Sequence, residues 1–268
     1  MTFVFPVLRK SGFRTKVFQR YARYQDIIED LIQDIFLAGV STRRVGAAIS
    51  KLLDTKISHG TVSRITRRLD SKVKEFHTRE LLDEYQYLFF DGITLKIKYN
   101  TKYHNRKVLV AYGITVFGKR ELIAFRQAKE ESYDAWLGFI DDLYKRGVKG
   151  ASLRLIITDG SKALHGALDM VYPLTLRQAC WVHKLRNVSN YLPKRYQEDC
   201  HNQAAKIYLA KSKQEALSFF KTWRKHWLKI CPKAVKCLES SIDNLLNFFD
   251  CPRKHWVKIR TTNVIERQ

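Results

Sequence analysis

At 268 residues with 45% hydrophobic content, the chain can bury a sizeable core, so wholly disordered and fibrous classes are excluded and one large domain or two small ones are expected. Its formal net charge of +23 and pI near 9.9 exceed what solubility requires and point to a polyanionic partner, nucleic acid first. No apolar run approaches about 18 residues, no lipidation signal or basic amphipathic stretch marks a membrane-surface protein, and the basic residues of MTFVFPVLRK follow the apolar ones, so a cytoplasmic protein is expected.

Residues 1–25 are basic and aromatic without a clear period and read as an arm. From Asp26, the residues Ile27, Ile28, Leu31, Ile32, Ile35 and Phe36 share one helical face, and Ala38-Gly39 closes that helix. Ser41 or Thr42 caps a second helix through Leu52, and Ser58 to Leu69 forms a third. This cadence is that of a helix-turn-helix, in which the third helix presents Thr61, Ser63, Arg64, Arg67 and Arg68 to a DNA major groove while Val62, Ile65 and Leu69 face inward. The plainer reading is a basic surface helix of a small bundle. Residues 70–85 read as a helical connector, so the DNA-binding region and connector span 26–85.

Three strand patterns follow at Tyr87 to Ile97, Lys107 to Phe117 and Arg120 to Gln127, with turns at Asn100 to Asn105 and at Gly118, short connections that favour an antiparallel meander. Ser132 to Arg146 is an amphipathic helix ended by Gly147. The run Leu153 to Ile157 has the composition of a strand buried on both faces and breaks at Asp159-Gly160. A helix through Val171 is stopped by Pro173, and a last strand runs from Leu174 to Cys180. The order β-β-β-α-β-α-β implies a mixed α/β (α+β) sheet with helices against it over residues 86–182. Residues 183–260 read as helical and basic, with helices at Tyr196 to Leu209, Lys213 to Trp227 and Pro232 to Phe249, then a basic link from Arg253 to Arg260. Residues 261–268 look like a helix start cut short.

Asp91 and Asp159 each stand at a strand position followed by glycine, on what are plausible neighbours in the sheet. In open α/β sheets ligands bind outside the carboxyl ends of strands, and facing carboxylates repel unless a cation sits between them. Hard oxygen donors suit Mg2+ or Mn2+, and a third carboxylate from a later helix would complete a two-metal site for attack on a phosphodiester. Cys180-x-x-His183 has half the spacing of a zinc site, but no second pair follows, and five cysteines without framework spacing fit reduced thiols. Trp181 reads as core. Trp223, Trp227 and Trp256, interleaved with lysine and arginine, read equally as core or as stacking platforms for an unpaired base.

Four segments in this order, YLFFDGITLKIK around Asp91, IITDGSKAL around Asp159, QACWVHKLRNV from Gln178 to Val188 and RTTNVIER around Glu266, resemble the mutator-type insertion-sequence transposases. The likeness covers roughly residues 26–268. It implies a ribonuclease-H-like fold with an all-helical insertion, and an Asp-Asp-Glu triad in which Asp91, Asp159 and Glu266 are the catalytic metal ligands. Cys180 and His183 become a family signature near the site. Read alone, Glu266 three residues after Asn263 is a helix-capping pair; the resemblance reassigns it. The resemblance further implies divalent-metal-dependent cleavage and joining of DNA, transposon ends and target DNA as partners, a homo-oligomer on paired ends, and residence at the nucleoid. Members continue well beyond the glutamate whereas this chain stops two residues after it, so a chain that binds DNA without transposing alone is expected. The alternative is a non-catalytic, sequence-specific DNA-binding protein, a regulator or inhibitor of transposition.

Overall fold

The computed structural model describes residues 68–99 and 102–262. Thr61, Ser63, Arg64, Arg67 and the helix-turn-helix expected around them, together with Glu266, lie outside the described residues. The chain divides into two compact units, Met1–His77 and Thr78–Gln268. Helix α1 (Arg68–Thr78), opened by Arg68, falls at the boundary and ends earlier than the connector expected to reach residue 85.

The second unit is a mixed α/β structure built on one five-stranded sheet: β1 (Tyr85–Tyr99), β2 (Lys102–Thr115), β3 (Arg120–Ala128), β4 (Leu155–Thr158) and β5 (Leu176–Ala179), in the order β3-β2-β1-β4-β5. The first three strands form the antiparallel meander, while β4 and β5 add in parallel to the free edge of β1. The hairpin is longer than its turn signals suggest. Tyr99 pairs with Lys102, so residues 102–105, expected as turn, lie in β2.

Side chains alternate across a strand, so each strand feeds two cores. Leu88, Phe90, Leu109, Ala111 and Ile156 face α2 (Tyr133–Lys145) and α3 (Lys162–Val171), which contribute Trp136, Phe139, Ile140, Leu164 and Leu168. Tyr87, Phe89, Tyr112, Leu155 and Ile157 face the opposite way. A register shift between Tyr85 and Tyr87 lets Tyr85 join the first set although it is two residues from Tyr87. Helix α2 starts where Ser132 Oγ accepts a hydrogen bond from Ala135 N. It ends before Gly147, whose φ of +127° and approach to Leu81 O leave no room for a Cβ.

The second core is covered by α4 (Trp181–Ser189), α5 (Lys194–Tyr208), α6 (Lys213–Trp227), α7 (Pro232–Glu239), α8 (Ile242–Leu246) and α9 (Trp256–Ile259), with single 3-10 turns at Asn247–Asp250 and Arg253–His255. Three expectations change here. The helix expected over Pro232 to Phe249 breaks at Ser240-Ser241, where Ser240 Oγ bonds back to Cys237 O, as serine does when it competes with helix geometry. The expected basic link is partly helical, because Ile259 is fully buried and anchors α9. Trp223 and Trp227 are core rather than stacking platforms: both are buried, with indole N–H groups directed to Cys200 O and Gln203 Oε1. Trp181 is buried, as its sequence setting suggested, and Trp256 packs half-buried against Phe248 and Phe249.

Gln178 on β5 fastens these helices to the sheet. Its Nε2 donates to Leu245 O at 3.0 Å and its Oε1 accepts from Phe248 N at 2.8 Å. Nε2 also donates to Ala179 O at 2.7 Å, and Leu245 O also accepts from Trp181 Nε1, so Gln178→Leu leaves the buried Phe248 N–H without its partner and takes a donor from Ala179 O. The expected loss is about 1–3 kcal/mol, read as a lower denaturation midpoint with unchanged slope.

Candidate active site

The last paired residues of β1 and β4 in the parallel ladder are Phe90 and Thr158, so Asp91 and Asp159 are the next residue on each of two adjacent strands. They share parity with Phe89 and Ile157, which places both carboxylates on the face covered by the C-terminal helices. Neighbouring strands run about 4.8 Å apart, so the two side chains leave the sheet side by side. Sequence pattern had made these strands neighbours, and they are.

Local geometry orients each carboxylate. Asp91 is 5% exposed, and its Oδ1 accepts from Gly92 N at 3.0 Å. Gly92 also leaves space on the other face: a Cβ there would fall 2.4 Å from the end of the Glu131 side chain, which pairs with Lys107 Nζ at 2.9 Å. Glu131 therefore approaches from the opposite face and is not a third member of the pair. Asp159 Oδ1 accepts from Ser161 N at 2.8 Å, across a turn in which Gly160 has φ +90°. This bond satisfies the N–H of Ser161, the N-cap residue of α3, whose own side chain makes no capping bond.

A second cluster closes the site from the helical side. Cys180 N donates to Thr158 O at 2.8 Å, which ties the start of α4 to the end of β4. Thr262 is fully buried; its N lies 3.2 Å and its Oγ1 3.4 Å from Cys180 Sγ, and Oγ1 is 3.4 Å from His183 Nδ1. Trp181 N bonds to Arg260 O at 3.1 Å, and Arg260 Nη1 to Tyr208 O at 3.0 Å, so residues 260–262 are strapped against α4 and α5. Thr262 also hydrogen-bonds the Asp91 carboxylate. Sequence reasoning quoted Thr262 only as part of a terminal motif. Its proximity to Asp91, Cys180 and His183 depends on contacts about 80 or more residues apart, for which a local pattern carries no signal.

The electrostatics follow from this packing. Burial pushes the Asp91 carboxyl up to about 6; His183 pulls it down, Asp159 adds to the rise, and bonds from Thr262 and Gly92 lower it. His183 is pushed up to about 9, first by its hydrogen bond to Cys180 and against its own burial, with Cys180, Asp91 and Asp159 adding favourable charge. Burial raises the Cys180 thiol, but bonds from His183 and Thr262 outweigh it and hold the thiol below its usual range. An imidazolium thus stands between a thiol and two carboxylates. Among the described residues no set of three His, Cys, Asp or Glu side chains is arranged to hold a metal ion. Asp91 and Asp159 supply the paired oxygen donors that a hard divalent cation prefers, and the chain reaches them again at Thr262, four residues before Glu266.

Comparison with known proteins adds an independent line. Residues 1–268 match the family described as Transposase, Mutator family. The chain is 32% identical over 262 residues, 98% of its length, to the transposase for insertion sequence element ISRM5 of Rhizobium meliloti (strain 1021), covering 65% of that protein. It is 29% identical over 258 residues, 96% of its length, to the transposase for insertion sequence element IS905 of Lactococcus lactis subsp. lactis (strain IL1403), again covering 65%. To the transposase for insertion sequence element IST2 of Acidithiobacillus ferrooxidans it is 40% identical over 159 residues, 59% of this chain and 53% of that one. The chain thus spans less than two-thirds of the length of each of these relatives.

Proposed function

Because the chain belongs to the Mutator family of transposases, we propose that it acts in transposition through a ribonuclease-H-like core in which Asp91, Asp159 and Glu266 hold divalent metal for DNA cleavage and strand transfer. The observation that carries this reading is the adjacency of Asp91 and Asp159, each the next residue beyond the carboxyl end of the parallel β1–β4 ladder. The strand order, with an antiparallel meander extended in parallel from β1, supports the ribonuclease-H-like assignment.

The donor set fits Mg2+ or Mn2+. Two carboxylates on one face, one of them resisting ionisation because it is buried beside another acid, gain most from a hard cation. Such an ion, when bound, supplies charge stabilisation for in-line displacement at phosphorus. The protein's own residues do the positioning: Gly92 N and Thr262 orient the Asp91 carboxylate, Ser161 N orients that of Asp159, and Cys180 with His183 anchors the strap that leads to Glu266. The His183 imidazolium offsets part of the negative charge of the pair. Among the described residues no helix is long and apolar enough to cross a membrane.

DNA recognition is assigned to the first unit, through Thr61, Ser63, Arg64, Arg67 and Arg68, with transposon ends and target as substrates and two ends held by a homo-oligomer at the nucleoid. Arg64→Ala or Arg67→Ala should weaken binding to end DNA by roughly 1–3 kcal/mol where a base contact is lost. A lost phosphate contact should instead weaken all DNA alike and lower the salt slope by about one. Fluorescence titration at several salt concentrations separates the two, and unchanged binding in both variants would move recognition elsewhere.

The activity test uses these residues within a chain of full family length, incubated with DNA carrying the ends of its element and Mg2+ or Mn2+. Metal-dependent nicks at the element boundary are expected. Tight end binding with no cleavage under conditions where a relative cuts its own ends would favour a non-catalytic regulator.

A further inference from the structure

A concavity of about 160 Å3 opens on the sheet face that carries Asp91 but on the amino-terminal side of it along β1. Tyr87 lies on its floor, four residues before Asp91 and so about 13 Å along β1. Arg120, Lys254 and Lys258 line it, and Phe117 stands at its edge. Tyr87 Oη lies 2.8 Å from His255 Nδ1, with the two rings edge to face, and this contact seats the Lys254 to Lys258 segment against the sheet. Burial first, then the charges of Lys254, Lys258 and Arg154, holds His255 below its ordinary range, and three cations, Arg120, Lys254 and Lys258, line one small volume. Among the described residues none of these three forms an ion pair; the nearby Glu121 is already shared by Lys119 and Arg79.

Phe117 is the unexpected neighbour. It is 84% exposed at the β2–β3 turn, belongs to neither core and stacks on no other described ring. A turn of this kind needs the glycine at position 118, with φ +80°, but it has no need of an aromatic at its tip. Converging cations bind a phosphate, and an exposed ring beside them binds the face of a base. The two together are what single-stranded nucleic acid requires, since the bases of a duplex are already stacked.

We propose that this pocket holds a backbone phosphate of single-stranded DNA, with a neighbouring unpaired base stacked on Phe117. The assignment rests on the transposase reading and extends it, giving the catalytic unit its own contact with a DNA strand, separate from Asp91 and Asp159 and from the first unit.

The test measures binding of the whole chain to a short oligothymidylate and to a blunt duplex over a range of salt. Replacing Arg120, Lys254 and Lys258 together by glutamine should flatten the salt slope for the oligothymidylate by about 0.7, the share of one phosphate contact. Phe117→Ser should weaken oligothymidylate binding about 5- to 100-fold and leave duplex binding unchanged. All three lining cations and Phe117 are exposed, so these variants retain the fold, and thermal melting checks that they do. An unchanged slope in the triple variant overturns the proposal. So does undiminished oligothymidylate binding by Phe117→Ser, or self-association of the wild type that is lost in Phe117→Ser while its binding persists. A wild-type chain that binds neither probe would instead count against the transposase reading itself.

Discussion

Replacing Asp91 or Asp159 by asparagine in a chain of full family length is expected to reduce metal-dependent DNA cleavage by roughly three orders of magnitude or more, the scale that several kcal/mol of lost transition-state stabilisation implies. An amide is nearly the same size as a carboxylate but is a poor ligand for a hard cation, so chemistry is lost while shape is kept. Both residues follow strand residues, Phe89 and Phe90 or Ile157 and Thr158, that are fully buried, and those contacts are untouched by the change. Circular dichroism and duplex affinity should therefore match the parent. Because the two carboxylates serve one centre, the double variant should be hardly worse than either single one. Cleavage within tenfold of the parent in either single variant would remove these residues from the reaction.

The strands, the acids and their adjacency were legible because they rest on local signals. Apolar runs mark buried strands, and each meets an aspartate-glycine pair: Gly160 ends β4 with positive φ, while β1 continues through Gly92, which leaves room for the Glu131 carboxyl. What escaped was non-local. The tryptophans of α6 lie on one helical face in any reading, but only the packed partner decides between core and ligand surface, and the partner proved to be the sheet-backed cluster around Cys200, Ala204 and Phe248. Likewise the break at Ser240-Ser241 depends on α8 turning to present Leu245 to Gln178 and Trp181, a demand of tertiary structure that outweighs the helical period of Pro232 to Phe249. The strap at Thr262 was hidden for the same reason. Its hydrogen-bond partners are supplied by a helix start 82 residues earlier in the chain.

Asp91→Asn should also make the metal-free protein more stable, and only above a definite pH. An aspartate in the unfolded chain ionises near 3.9, whereas in the fold Asp91 is held to about 6, chiefly by burial. The folded state therefore keeps a proton that the unfolded state gives up, and the stability linked to that proton is fully present below about pH 4 and is lost as pH rises through 6. Two pH units correspond to about 3 kcal/mol, an upper figure because the bonds from Thr262 and Gly92 favour the carboxylate and are weakened by the amide. For a unit of this size that is a rise of about 5–10 °C in Tm at pH 7, with no difference at pH 4. His183 acts in a separate window: raised to about 9, it stabilises fully below its ordinary value near 6.5 and ceases to as pH passes 9. Its first support is Cys180 rather than Asp91, so this second loss should persist in the variant. Addition of Mg2+ above pH 6 should raise the Tm of the parent toward that of Asp91→Asn and leave the variant unmoved, because the carboxylate whose ionisation is costly is the one proposed to hold the ion. Melting curves at pH 4, 7 and 9.5, with and without Mg2+, measure each part. A variant less stable than the parent at pH 7, or a difference that does not change with pH, would mean that Asp91 is held ionised by its neighbours and that the site is already charge-balanced without metal.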